Sequence, residues 1–225
     1  MPAAQTSRII VLHLTKYGDS SLVVHAIDSV SGRCSYMLRG AGRSKRVSMG
    51  ALHNLAILDI VSVPNPKSTM AYLKEYEPVI QLTSLRSVLD KNAIAMFISE
   101  LLYRTIVEQN CDERLFSWLC SSIAALDGAG GSVANFHLWF LAGLCTVLGF
   151  GPTPSGDFDG ADLLHDDNLA LLRELASVPF DEAMAIPLTG ARRRDFCERM
   201  IRYISYHLGI NLNLRSLDVL HELYA

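Results

Sequence analysis

Apolar and polar positions alternate in short runs through the first eighty residues. "RIIVLHLT", residues 8–15, places Ile10, Leu12 and Leu14 on one face of a strand. "LVVHAID", residues 22–28, follows the turn "YGDS", and the tight connection "SGR" leads into "CSYMLRG". "LAILDIVSV", residues 55–63, stops at "PNPK", and "MAYLKEYEPVI", residues 70–80, completes the set. Five strands with short, turn-rich links predict a small closed or half-closed barrel. An OB-fold has this size. A plain five-stranded SH3-like barrel has it too, and periodicity does not separate them.

From Leu82 onward the period changes to that of helices. "NAIAMFISELLYRTI" sets Ile94, Phe97, Ile98, Leu101 and Thr105 on one face. "DERLFSWLCSSIAAL" opens with Asp112 as its N-cap and ends at "DGAGG". "SVANFHLWFLAGLCTVLG" is apolar on nearly all sides, which predicts the central helix of a bundle. Its most apolar part, residues 138–150, is too short to cross a bilayer. Residues 150–189 read as loop with one weak helix, "DNLALLRELAS". Helices over residues 191–208 and 214–224 close the chain. The predicted class is α+β, with a barrel domain at 1–80 and an all-α domain at 81–225.

Composition narrows the class further. Half of the 225 residues are apolar and 19% are charged, which argues against wholesale disorder. No apolar run beside a basic flank marks a signal peptide at the start. The five cysteines form no CxxC pair, so neither a disulfide framework nor a cysteine zinc site is expected, and the chain reads as cytosolic. The net charge of −3 conceals an asymmetry. Residues 1–80 hold nine Lys and Arg against five Asp and Glu, whereas the remainder holds eleven against eighteen. A basic module joined to an acidic one suggests polyanion binding in the first half and another task in the second.

Phosphate-loop, dinucleotide, nucleophile-elbow and HExxH signatures are all missing, so enzyme chemistry is not expected. The acid-rich segment "SGDFDGADLLHDD" misses the calcium-loop spacing and reads as a solvated loop. Two basic clusters remain. "LRGAGRSKRVSMG", residues 38–50, gathers Arg39, Arg43, Lys45 and Arg46 on a glycine-jointed stretch without an acid. With Lys16 and Arg33 these cations line one rim of a barrel and suit phosphates, which they bind by releasing counterions. Tyr17 and Tyr36 stand nearby as stacking aromatics. "ARRRDF" puts Arg192, Arg193 and Arg194 in the first turn of a helix, where the dipole disfavours cations. Arg199 and Arg202 continue that cluster. It suits a carboxylate or phosphate ligand, or is neutralised by Asp195.

The stretch "VLHLTKYGDSSLVVHAIDSVSGRCSYMLRGAGRSK" resembles the amino-terminal signature of the RecO family of bacterial recombination mediators. The carriers are the turn Tyr17 to Ser20, the Gly32-Arg33 turn and, above all, Gly40-Ala41-Gly42-Arg43-Ser44-Lys45. "LGFGPTP", residues 148–154, extends the likeness more weakly toward the carboxyl end. The resemblance implies an OB-fold followed by a helical domain and a non-enzymatic role in recombinational repair, within the cytoplasm and at the nucleoid. It implies binding of single- and double-stranded DNA, strand annealing, engagement of the acidic tail of single-stranded DNA-binding protein, and work with RecR to load RecA.

By matching position, Arg39, Arg43, Lys45 and Arg46 are the DNA contacts. Arg192, Arg193, Arg194, Arg199 and Arg202 are offered as receivers of the acidic tail. Many family members carry a four-cysteine zinc module after the Leu-Gly-x-x-Pro segment. Residues 150–187 here contain no cysteine, so no zinc module is expected; metal is absent or bound in some unrelated way, and no cofactor is expected. Two other readings stay open: an OB-fold protein that binds structured RNA, and a scaffold without nucleic-acid affinity.

Overall fold

The computed structural model describes residues 3–40, 49–110, 112–152, 160 and 163–224. Five strands, β1 (Gln5–Tyr17), β2 (Ser21–Asp28), β3 (Gly32–Arg39), β4 (Ile57–Val63) and β5 (Ala71–Pro78), close into a barrel in the order β1-β2-β3-β5-β4. β3 and β5 run parallel and the other neighbours antiparallel. This is the five-stranded Greek-key barrel of the OB-fold. β1 is long because it serves two partners: Gln5 to Ile10 pair with β4, and Ile9 to Tyr17 with β2.

The barrel core is built from Ile9, Val11, Val24, Ala26, Tyr36, Leu38, Leu58, Ile60 and Leu73, with Leu52 and Ala56 from the β3–β4 connection. Each fully buried aliphatic side chain contributes about 1.5–3 kcal/mol. Leu14 packs against this cluster, whereas Ile10 and Leu12 do not belong to it. The predicted single face of Ile10, Leu12 and Leu14 is therefore corrected. A register irregularity between Val11 and His13 switches the alternation, so Ile9, Val11 and Leu14 turn inward. Ile10 is nonetheless fully buried, in a cross-strand row with Ile27 and Ile57.

Eight helices follow among the described residues: α1 (Ser84–Ser87), α2 (Leu89–Thr105), α3 (Glu113–Gly128), α4 (Phe136–Val147), α5 (Asp166–Ser177), α6 (Phe180–Ala185), α7 (Gly190–Leu208) and α8 (Ser216–Leu223). No helix is long and apolar enough to cross a membrane among the described residues. Two compact units divide the chain. One comprises Met1–Thr83 with Ser99–Cys120, the other Ser84–Ile98 with Ser121–Ala225.

In the first unit, residues 99–110 are fastened to the barrel by polar contacts. The Ser99 hydroxyl donates to the Leu12 carbonyl, and the Arg33 N–H donates to the Glu108 carbonyl at 2.7 Å. Asp112 caps α3 by accepting from the Arg114 N–H at 2.7 Å. In the second unit α4 packs against α5, α6 and α7 and buries Phe136, Leu138, Phe140, Leu141 and Leu144. The buried Asn135 side chain donates to the carbonyls of Ala183 and Ile186 at 3.0 and 2.8 Å. Buried Lys91 donates to the Asp127 and Ala129 carbonyls, both at 2.7 Å, and so satisfies the end of α3. α6 falls in the region read from sequence as holding a single helix. Its six residues are too few to show a period.

Candidate nucleic-acid interface

Cys34, Tyr36 and Leu38 turn toward the barrel interior, so Arg33, Ser35, Met37 and Arg39 lie on the outer face of β3. Register sets His25 beside Ser35, Val23 beside Met37 and Ser21 beside Arg39. β1 adds His13 beside His25, Thr15 beside Val23 and Tyr17 beside Ser21. On the other flank, Tyr72 of β5 pairs with Met37. One surface thus draws on four strands.

Its two ends differ. At the end near the β2–β3 turn, Tyr103 covers the sheet. The Arg33 guanidinium carbon lies 3.7 Å from the centre of the Tyr103 ring. His13 and His25 stack at 5.8 Å, and Tyr103 meets both edge-on at 5.9 and 5.5 Å. His25 is also hydrogen-bonded to the hydroxyls of Thr15, at 3.2 Å, and Ser35, at 2.8 Å.

Burial lowers the pKa of both His25 and Arg33. For His25 the positive neighbours Arg33 and His13 add to the effect. The Arg33 Nη1 atom is buried without a hydrogen-bond partner among the described residues. Gly32 permits this close approach. Its φ is +64°, and a Cβ would stand 2.6 Å from the Glu108 carbonyl oxygen.

The opposite end is open. Arg39 is exposed, and its Nη2 donates to the Tyr72 hydroxyl at 2.8 Å. Its guanidinium carbon lies 4.4 Å from the centre of the same ring, and Lys74 Nζ lies 5.5 Å from it. Tyr17 is 63% exposed and Lys16 is exposed beside it. Arg43, Lys45 and Arg46 lie outside the described residues. Tyr36, read from sequence as a stacking aromatic, is instead buried. It donates to Asp28 at 2.6 Å. Another part of the barrel has the opposite character: Asp59, Glu75 and Glu77 line a depression of about 540 Å³ with Thr6, Ser7 and Tyr76.

Comparison with known proteins gives these features a family. The model described as Recombination protein O N terminal matches residues 1–81, and Recombination protein O C terminal matches residues 86–158. The DNA repair protein RecO of Christiangramia forsetii is 31% identical over 236 aligned positions, covering 97% of this chain and 98% of the relative. The chain belongs to the RecO family. Proteins of the same name from Flavobacterium psychrophilum and Bacteroides fragilis are 29% and 30% identical, each over at least 96% of this chain and 97% of the relative.

All five strands fall within the RecO amino-terminal match, so the open and covered ends belong to its OB-fold. The arginines of α7 lie beyond the RecO carboxyl-terminal match. Thr189 caps α7, accepting from the Arg192 N–H at 3.2 Å. The Arg192 side chain donates to the Asn168 side chain, to the Asp167 carbonyl at 2.9 Å and to Asp195 at 3.3 Å. Arg199 donates to Asp195 at 3.0 Å. Arg193 donates to the Asn135 side chain at 2.9 Å, and Arg194 to the His221 carbonyl at 3.3 Å.

Arg202 is exposed and has no ion pair among the described residues. Desolvation opposes ionisation of Asp195, but its hydrogen bonds and the nearby arginines outweigh it and hold the carboxyl below its usual range. Among the described residues of this RecO chain, no group of three or more His, Cys, Asp and Glu is placed to hold a metal ion.

Sequence reasoning passed over Tyr72, Lys74 and Tyr103 as parts of this surface. For Tyr72 and Lys74 a signal was present. In "AYLK" they alternate with Ala71 and Leu73, which face the barrel core. Tyr103 lies in α2, and nothing local reveals which strand face it covers.

Proposed function

We propose that the chain is a non-enzymatic recombination mediator that binds and anneals single-stranded DNA. The observation that carries this reading is the exposed Arg39, laid on Tyr72 beside Lys74, at the open end of an OB-fold face in a RecO-family chain. β3 ends at Arg39 and the sequence continues through Gly40 to Arg43, Lys45 and Arg46. Lys16, Arg39, Arg43, Lys45 and Arg46 hold phosphates and screen the repulsion between two strands. Annealing gains speed because both strands are held at high local concentration, without bond chemistry.

The helical domain docks the acidic tail of single-stranded DNA-binding protein, and RecR joins to promote RecA loading on strands in the nucleoid. Arg202 is the α7 arginine with the freest reach for that tail, while Arg192, Arg193, Arg194 and Arg199 add positive field around it.

Strand annealing in the presence of the coating protein tests both parts. Changing Arg43, Lys45 and Arg46 together to Glu abolishes annealing and DNA binding on this reading. Five neutralised phosphates give log K against log salt a slope of about −3.5 on single strands. Arg202→Glu leaves binding to naked strands intact and weakens annealing of coated ones. A salt-independent affinity sinks the first part, and unchanged annealing by Arg202→Glu sinks the second.

A further inference from the structure

We infer that Arg39 and Tyr72 form a preassembled stacking surface for one unpaired base, so that the open end of the barrel face discriminates single strands from duplex. This rests on the nucleic-acid reading above and adds base recognition to it. Arg39 makes two contacts with one ring: its guanidinium carbon stands over the ring face, and Nη2 donates to the ring's own hydroxyl. Together they hold the guanidinium at the ring. A phosphate needs only a charge, which Lys74 supplies as a compact ammonium 5.5 Å from the ring centre. A guanidinium held in place offers something more. Arg39 is exposed, so its guanidinium is open to a base, and bases stack on arginine planes as they do on aromatic rings.

The surroundings suit a base as well. Met37, half-buried, pairs with Tyr72 on one side and with Val23 on the other, giving an apolar floor beside the stack. Tyr17 and Arg39 flank Ser21 across β2, two strand spacings or about 10 Å apart. Tyr72 is half-buried in its strand and holds Arg39 before any ligand arrives, which reduces the ordering cost of binding. A duplex keeps its base faces inside its own stack and meets only the charges. The competing explanation is that the pair merely fastens the parallel β3–β5 joint, which has only three registered residue pairs.

Anisotropy titrations of the full chain with an oligothymidylate and a duplex of equal length, backed by melting temperatures, separate these explanations. Tyr72→Phe keeps the ring but loses the hydroxyl anchor, and weakens single-strand binding less than Tyr72→Leu does. Tyr72→Leu weakens single-strand binding by about fivefold or more and duplex binding by less than about twofold. Arg39→Lys keeps the charge but not the plane, and shows the same selective loss. If Tyr72→Leu fails to fold, Arg39→Lys decides alone. Single-strand and duplex affinities that fall in equal proportion, or that stay at the parental values, overturn the inference while leaving DNA binding intact. A parent protein that binds neither oligonucleotide at low salt overturns the underlying reading instead.

Discussion

Arg33 and Arg39 stand six residues apart on the outer face of one strand, and each lies against a tyrosine. Their situations are otherwise opposite. Arg33 lies under Tyr103, with a buried Nη1 that has no partner among the described residues and a pKa lowered by burial. Arg39 reaches solvent with its guanidinium supported by Tyr72. The first contact holds residues 99–110 to the barrel, a cation–π pair contributing roughly 0.5–2 kcal/mol. The second leaves its cation exposed to solvent. Counting charges along β3 makes the two equivalent, whereas neighbours distant in sequence leave one covered and the other exposed.

The largest expected effect comes from closing the space that lets Arg33 approach. Gly32→Ala puts a methyl against the Glu108 carbonyl at a positive φ, and destabilises the chain by roughly 2–4 kcal/mol in urea unfolding. Gly18→Ala has a similar φ of +62° but open space around it, and costs about 1 kcal/mol. Equal costs at the two positions would break the contrast between covered and open ends.

A smaller effect follows from pH. His25, facing His13, Arg33, Tyr103, Thr15 and Ser35, has a folded-state pKa below the ordinary histidine value of about 6.5. The unfolded chain therefore takes up the proton first. Its stabilising contribution is complete above about pH 6.5 and is lost as the pH falls below that. Between pH 7.5 and 5.5, calorimetry on His25→Asn shows a melting temperature that falls less than the parent's. His137, pushed down to about 3 by burial, and His221 titrate in both proteins and cancel in the difference. Identical acid sensitivity would mean the covered end is not held by a neutral His25.

Much of the barrel was legible because alternation and turn residues marked its strands. The facing of β1 was not. "IIVL" is apolar on both faces, Ile10 is buried outside the barrel core, and the irregularity before His13 leaves no local trace. The basic cluster was legible as charge. Its supporting ring was missed because Tyr72 comes beside β3 only through the parallel β3–β5 pairing, some thirty-five residues along the chain. On α7 the choice between ligand site and internal neutralisation depended on Asn135, Asn168 and Asp167, which sequence does not connect to the helix.

The contrast between the two arginines is most directly tested by exchanging each for methionine and titrating a fluorescent single strand while recording the melting temperature. Arg39→Met loses about fivefold or more in affinity and melts as the parent does, whereas Arg33→Met binds within about twofold and melts lower. Binding lost through Arg33→Met at unchanged stability, with Arg39→Met binding like the parent, contradicts the account.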